Sequence, residues 1–321
     1  MVSLFILVIT SLSTLRKKVQ RLKNNILKMF AVALIVLFAT ASVAFARELP
    51  VGESVYEMQE PTGATTAPLA VYCYRAANWA PGRPIVFVFH GMNRIADDYR
   101  ASWERFADED GLLIVCPEFT DAKYPGSRYY NIGNLMDKTN EKGNLQPKDE
   151  WVFPVVDRVI RDVKERMGAA SSPVAVFGHS AGAQMVHRYA LFGGPTEANL
   201  IMPANAGWYT MPDENARFPY GLDGVPLSDD ELAAAFAKPV VILLGEADTK
   251  RTENLRQTPE ADAQGMNRLE RGKKFFAVAQ EKADAMGVPF NWQAATVSGV
   301  GHDGAAMADA ALAVIEQLFL Q

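Results

Sequence analysis

Ser180 lies between a short run of β-branched and aromatic residues and an apolar helical pattern. Its surroundings, Gly178-His-Ser-Ala-Gly182, follow the pattern Gly-x-Ser-x-Gly. Between a strand and a helix this pattern is typical of a nucleophile elbow, where the chain turns so sharply that only small residues fit at the two glycine positions. Such a turn exposes the serine hydroxyl at the C-terminal edge of a parallel sheet. We therefore predict that Ser180 is a catalytic nucleophile.

An acid and a histidine follow Ser180 in the chain order that such a nucleophile requires. Asp248 comes shortly after a second buried strand, and His302 is the only one of the four histidines that follows Asp248. An imidazole with an ordinary pKa near 6.5 can take a serine proton and return it to a leaving group. A buried carboxylate orients that ring and stabilises the imidazolium. The sequence predicts a triad of Ser180, His302 and Asp248.

Two other acids are alternatives to Asp248. Glu246 shares a strand face with Asp248 if the strand continues that far, and Asp303 adjoins His302 in sequence. Asp303 is the weaker alternative because so close a neighbour reaches the imidazole ring with difficulty.

The other three histidines are expected to be structural. His187 lies two helical turns beyond Ser180, which favours a packed or surface position. His179 occupies the variable position of the elbow and is expected to point away from the nucleophile. His90 ends a strand and is expected to shape the loop that follows it.

Two backbone amides are candidates for an oxyanion hole. The first is the N–H of Ala181, directly after the nucleophile, at the start of a helix. The second is the N–H of Met92, in the loop His90-Gly91-Met92-Asn93 after an early strand. The alternative for that loop is an ordinary connection between a strand and a helix.

Alternating strand and helix patterns run through the chain from about residue 55. Two leading strands and six βα units predict an α/β fold, with a mostly parallel sheet and helices on both faces. Strands are predicted at 55–58, 69–74, 84–90, 111–116, 174–179, 199–203, 239–245 and 290–298. Helices are predicted near 95–109, 151–168, 181–192, 230–236, 265–286 and 304–319.

Two long stretches, 119–150 and 208–227, fit no βα unit, and long irregular loops of this kind are typically lids or binding walls. Trp208, Tyr209 and Tyr130 lie in them. Because aromatic rings offer broad apolar contact with a polar tip, we expect these three to wall a substrate site for aromatic or short hydroxyacyl esters. The alternative is that the rings pack the loops onto the sheet.

The motifs together resemble the α/β-hydrolase superfamily. The segments 84–117 and 178–183 also resemble the secreted poly(3-hydroxybutyrate) depolymerase and feruloyl-esterase-like group. The resemblance implies a single catalytic domain, the triad of Ser180, Asp248 and His302, and a carboxylic-ester substrate. The sequence carries no recognisable linker and substrate-binding domain after the hydrolase, which puts attack on a solid polymer in doubt. If the sheet follows the strand order of that superfamily, Cys73 and Cys116 lie on neighbouring strands. The sequence is then compatible both with a disulfide between them and with two buried free thiols.

The N-terminal segment has the composition of a secretory signal. Basic residues from Arg16 to Lys28 precede an apolar run and the ending Ala44-Phe45-Ala46. We predict a leader over 1–46 and a catalytic domain over 47–321, with a retained membrane anchor as the alternative. Residues 1 to about 20 precede an otherwise complete signal, which raises the further alternative of a start codon downstream.

The chain is predicted to be a secreted or periplasmic serine esterase. A net charge of −5 and a pI near 5.5 argue against a nucleic-acid partner. The chemistry needs no metal or cofactor, and no stable membrane association is expected after signal cleavage. The partner is a small-molecule or oligomeric ester. A serine peptidase or amidase, and a non-catalytic binding protein on the same fold, are the alternative functions.

Overall fold

The structure of this chain is a computed structural model that describes Lys23 and residues 48–139 and 143–321. The predicted leader, 1–46, lies outside the described residues apart from Lys23. Residues Glu48–Gln321 form one compact unit. No helix among the described residues has the length and apolarity to span a membrane.

An eight-stranded sheet forms the centre of this unit. The strands are β1 Gly52–Met58, β2 Leu69–Arg75, β3 Ile85–Phe89, β4 Leu113–Pro117, β5 Val174–His179, β6 Leu200–Ala204, β7 Val240–Gly245 and β8 Trp292–Val297. Their order in the sheet is β1-β2-β4-β3-β5-β6-β7-β8. Strand β2 runs antiparallel to β1 and β4, and every later pairing is parallel. The predicted α/β fold class is confirmed.

The helices connect and cover these strands. They are α1 Ala96–Ala101, α2 Glu104–Asp110, α3 Gly126–Tyr129, α4 Phe153–Arg166, α5 Ala181–Phe192, α6 Asp229–Phe236, α7 Pro259–Asp262, α8 Arg268–Met286 and α9 Gly304–Phe319, with a 3₁₀ turn at Lys148–Glu150. Every residue of β3 to β7 is buried, as expected when helices cover both faces of a parallel sheet.

The helix predicted over 95–109 is two helices, α1 and α2. The Ser102 hydroxyl donates a hydrogen bond to the carbonyl of Tyr99, 2.7 Å away, and the helical pattern restarts at Trp103. This break lets the fully buried Trp103 ring pack edge-on against Phe177 of β5, with ring centroids 5.3 Å apart. Burial of a large ring therefore overrides the continuous helical pattern of the sequence.

Both cysteines are buried free thiols. Strands β2 and β4 are neighbours, but Cys73 pairs with Val115 and Tyr72 pairs with Cys116. Paired residues share a sheet face and successive residues alternate, so the two thiols point to opposite faces of the sheet. This register excludes the disulfide that the sequence left open.

Candidate active site

Ser180 occupies the single-residue turn between β5 and α5. Its backbone φ of 57° and ψ of −112° are strained for a residue other than glycine. The chain can approach its neighbours closely here because the flanking residues lack side chains: a Cβ on Gly182 would lie 2.1 Å from the carbonyl oxygen of Phe89, and one on Gly178 would lie 2.5 Å from that of Gly182. The local sequence therefore dictates the exposed position of the Ser180 hydroxyl.

The predicted nucleophile, base and acid are hydrogen bonded in series. The Ser180 Oγ lies 3.0 Å from Nε2 of His302, and Nδ1 of His302 lies 2.8 Å from Oδ2 of Asp248. Asp248 is 2% exposed at its side chain. With the Nδ1 proton donated to this carboxylate, Nε2 is free to accept the proton of Ser180.

Neither alternative acid contacts His302. Glu246 is exposed, and its backbone N–H donates to Val297. Asp303 is the N-cap of α9, where its carboxylate accepts from the backbone N–H groups of Ala305 and Ala306 at 2.9 and 3.1 Å. The carboxylate adjacent to His302 in sequence therefore stabilises a helix terminus.

Asn205, at the end of β6, joins the two loops that carry the acid and the histidine. Its Nδ2 donates to the carbonyl of Gly301, 3.0 Å away, and its Oδ1 accepts from the N–H of Gly245, 2.8 Å away. Its backbone φ of 52° lies in the left-handed region, which asparagine adopts more readily than most residues. No motif predicted a role for Asn205, whose only signal in the sequence is that of a polar residue directly after a buried strand.

A cleft of about 710 Å³ opens above Ser180. One wall is the segment 91–95 with Asp98 and Tyr99, and the other is formed by Ala247, Asp248, Lys250, Thr252, Glu253, Asn254 and Arg268. Most of the lining side chains are charged or polar. Within residues 48–139 and 143–321, no three His, Cys, Asp or Glu side chains converge as metal ligands would.

Comparisons with known proteins place this geometry in a family. No protein-family model and no curated protein matches the chain. Two solved structures share about a third of its residues. LpqC, a poly(3-hydroxybutyrate) depolymerase from Bordetella parapertussis, is 36% identical over 85% of this chain and 92% of its own, with a TM-score of 0.77. Poly(aspartic acid) hydrolase-1 from Sphingomonas sp. KT-1 is 34% identical over 85% of this chain and 100% of its own, with a TM-score of 0.76.

The chain belongs to the α/β-hydrolase superfamily. Within it, the identity with LpqC places the chain in the esterase group that the sequence motifs indicated. FphF, a fluorophosphonate-binding serine hydrolase of Staphylococcus aureus, shares the fold alone, at 15% identity over 84% of this chain and 98% of its own, with a TM-score of 0.52. The hydrolase fold of this chain is therefore common to distant and nearer relatives.

The first wall of the hydrolase cleft is a tight turn. The N–H of Arg94 donates to the carbonyl of Gly91 at 3.2 Å, which places Met92 in the turn with its side chain 58% exposed and facing the cleft. The Arg94 guanidinium donates to the carbonyl of Gly126 at 3.0 Å and stacks over Tyr130 at 4.5 Å. The first long insertion therefore anchors the loop that carries the predicted Met92 amide.

The second predicted oxyanion donor begins helix α5. As the first residue of the helix, Ala181 has an N–H without an acceptor inside the helix. Both amides remain predictions for an oxyanion hole.

His179 does not point away from the nucleophile, and that expectation is wrong. Its ring packs against His302, with centroids 4.7 Å apart, and its Nδ1 lies 3.1 Å from the Tyr99 hydroxyl. Burial lowers the pKa of His179 to about 3, with the charges of His302 and Arg268 acting in the same direction. A neutral ring therefore lies against the imidazole that the mechanism needs.

The remaining two histidines are structural, as predicted. The buried His90 receives a hydrogen bond from the N–H of Phe119 at Nε2, 3.0 Å away, and burial lowers its pKa to about 4. The buried His187 lies 2.9 Å from the carbonyl of Ala183 at Nδ1 and accepts from the N–H of Thr210 at Nε2.

The three aromatic residues expected to wall the substrate site do not line the cleft. Trp208 is 4% exposed, held between the guanidinium groups of Arg188 and Arg256 at 4.2 and 4.7 Å. Tyr209 is buried and stacks on a phenylalanine ring of α8 at 4.6 Å, and the buried Tyr130 donates to the carbonyl of His90. That expectation is wrong because the rings pack the two insertions onto the fold, which was the alternative.

Proposed function

We propose that this hydrolase cleaves carboxylic esters through an acyl-enzyme intermediate, with Ser180, His302 and Asp248 as its triad. The observation that carries the proposal is the hydrogen-bonded series of these side chains at the strained turn, open to a cleft. The 36% identity with the depolymerase LpqC supports an ester substrate.

The proposed reaction begins when Ser180 attacks the ester carbonyl carbon. Nε2 of His302 takes the hydroxyl proton as the Oγ–C bond forms, and Asp248 stabilises the resulting imidazolium. The N–H groups of Met92 and Ala181 hold the negative oxygen of the tetrahedral intermediate. Collapse breaks the C–O bond to the alcohol, which leaves with the proton from His302. Water then attacks the acyl-enzyme by the same steps and releases the acid.

The cleft favours a short, hydrophilic ester. Its large apolar side chains are Met92 and Ile95, both exposed at one wall, whereas the other wall presents residues such as Lys250, Glu253 and Asn254. A long acyl chain would find only these few apolar side chains to cover it, on one wall of the cleft. We therefore propose short hydroxyacyl esters and their soluble oligomers as the substrate class. Aromatic esters are not proposed, because the three aromatic residues expected to bind them are buried away from the cleft.

We predict that kcat/KM falls as the acyl chain lengthens from two to four carbons toward about ten. Trp208→Ala should keep this selectivity while lowering the free energy of unfolding by about 3 to 5 kcal/mol, since a buried indole is lost. Urea unfolding and a p-nitrophenyl ester series on both proteins measure the two effects. A preference for ten-carbon chains, or selectivity that changes in Trp208→Ala, contradicts the proposed substrate class.

A second candidate is hydrolysis of amide bonds. The supporting observation is the 34% identity with poly(aspartic acid) hydrolase-1, whose named substrate is a polyamide. The same triad can attack either carbonyl, because the difference lies in the leaving group. A fluorophosphonate probe first tests for a reactive Ser180. Ester and amide substrates with the same acyl group then distinguish the two activities. A protein that is not labelled by the probe and hydrolyses neither substrate would be a non-catalytic binding protein.

We also propose that the protein is exported to the periplasm or the medium. The basic stretch, the apolar run and Ala44-Phe45-Ala46 support cleavage before Arg47. Expression in the native host, followed by N-terminal sequencing of the purified protein, is expected to give a chain that begins at Arg47. A chain that still contains the apolar run would contradict cleavage and support the retained anchor.

A further inference from the structure

The carboxylate of Asp248 has two partners, one on each oxygen. Oδ2 accepts from His302, and Oδ1 lies 3.4 Å from Nη1 of Arg268. The side chains of Asp248 and Arg268 are 2% and 4% exposed. A cation therefore lies directly behind the acid, in a place that water does not screen.

Arg268 is held in this position by the start of α8. It is the first residue of that helix, directly after the N-cap Asn267, whose side chain accepts from the N–H of Glu270. Arg268 borders the cleft although its side chain is only 4% exposed, and its Nε is buried without a hydrogen-bond partner among the described residues. The next arginine on the helix, Arg271, pairs with Asp262 instead. Of these two arginines of α8, Arg268 is therefore the one that pairs with Asp248.

We propose that Arg268 is a positioning residue that fixes the Asp248 carboxylate and sets the pH range in which His302 acts as a base. This inference rests on the proposed triad. Asp248 stabilises the imidazolium form of His302, and a cation on its other oxygen opposes that stabilisation. The charge of Arg268 therefore offsets part of the effect that the Asp248 carboxylate has on the imidazole ring.

The other ionisable side chains around this pair do not supply the same charge. Burial holds the pKa of His179 at about 3, raises that of Tyr99 to about 12 and raises that of Tyr209, so these three are neutral near pH 7. The remaining groups are Arg271 beside Arg268 on α8, Lys250, Glu253, Asp98 and Arg94 on the cleft walls, and Asp303 at the helix cap. None of these is hydrogen bonded to Asp248, and Arg268 is the cation in contact with it.

The test compares variants that remove or keep the charge of Arg268. In Arg268→Met and Arg268→Gln, the midpoint of the acid limb of kcat/KM should rise by about one pH unit, because an uncompensated Asp248 favours the imidazolium. Activity should therefore fall about tenfold at pH values below the midpoint and recover at high pH. Arg268→Lys keeps the charge and should keep the midpoint near that of the wild type. Lys273→Met removes an exposed cation from the same helix outside the cleft; it is the control and should leave the midpoint unmoved.

The same midpoint can be followed without turnover, by NMR titration of the His302 imidazole in the full chain. The signal is assigned by its loss in His302→Gln. An unchanged midpoint in folded Arg268→Gln overturns the inference, as does a fall in kcat at every pH with no shift, which is the result of a purely structural role. If the wild type hydrolyses no ester and the NMR midpoint still rises, the proposed function fails while the assignment to Arg268 is supported.

Discussion

Replacing Ser180 with alanine is expected to lower kcat/KM for ester substrates by about 10³-fold or more, in line with losses measured for other triad nucleophiles. The hydroxyl lies 3.0 Å from the base that would take its proton, and alanine offers no atom to attack the carbonyl. The fold should survive, because alanine keeps the Cβ of serine and the substitution removes only the hydroxyl group. Ester turnover and fluorophosphonate labelling measure the loss of the nucleophile, and thermal unfolding of the same preparation shows whether the fold is retained.

Ser298→Ala is the matched control for this experiment. Ser298 is exposed in the loop that carries His302, and it takes no part in the hydrogen bonds that join Ser180, His302 and Asp248. Its replacement should leave labelling and turnover close to wild type. Folded Ser180→Ala protein that still hydrolyses the ester at near wild-type rate would remove Ser180 from the mechanism, and with it the proposed function.

Local patterns made most of the fold predictable from the sequence. The strand predicted at 174–179 and the helix at 181–192 match β5 and α5, because the glycine spacing of the elbow and the apolar periodicity are properties of adjacent residues. The boundary between α1 and α2 could not be found in this way. It depends on Trp103 packing against a strand more than seventy residues away in the chain.

The parts of the site that the sequence missed are contacts between distant elements. Asn205 bridges loops after β7 and β8, and Arg268 reaches the acid from α8. Each residue is unremarkable in its own segment. His179 was misplaced for the same reason, since its contact with His302 joins residues that are more than a hundred positions apart in the chain.

The aromatic residues show a different limit of sequence reasoning. A tyrosine or tryptophan in a long loop can face a ligand or the protein itself, and its amphipathic ring suits both. In the structure, two arginines that are distant in the chain, Arg188 and Arg256, both contact the Trp208 ring, which is 4% exposed. The sequence places the ring in a long loop, but the direction of the ring depends on partners that the local pattern does not contain.

The second large effect is expected at the acid. Asp248→Asn should lower kcat/KM by about 10³- to 10⁴-fold with the fold retained. The amide is neutral, so it stabilises no imidazolium, and its NH₂ group can face Nδ1 of His302 and favour the tautomer that carries its proton on Nε2. That tautomer cannot accept the proton of Ser180. Steady-state kinetics across pH, with unfolding measured in parallel, separate this chemical loss from a loss of structure.

Glu246→Gln makes the same chemical change two residues earlier and is the matched control. Glu246 is exposed and has no contact with His302, whereas Asp248 accepts from Nδ1 at 2.8 Å. Glu246→Gln should therefore leave kcat/KM close to wild type. The reverse ranking would assign the acid to Glu246 and require the loop after β7 to rearrange when substrate binds. Equal, small losses in both variants would mean that His302 works without a carboxylate, contrary to the proposed triad.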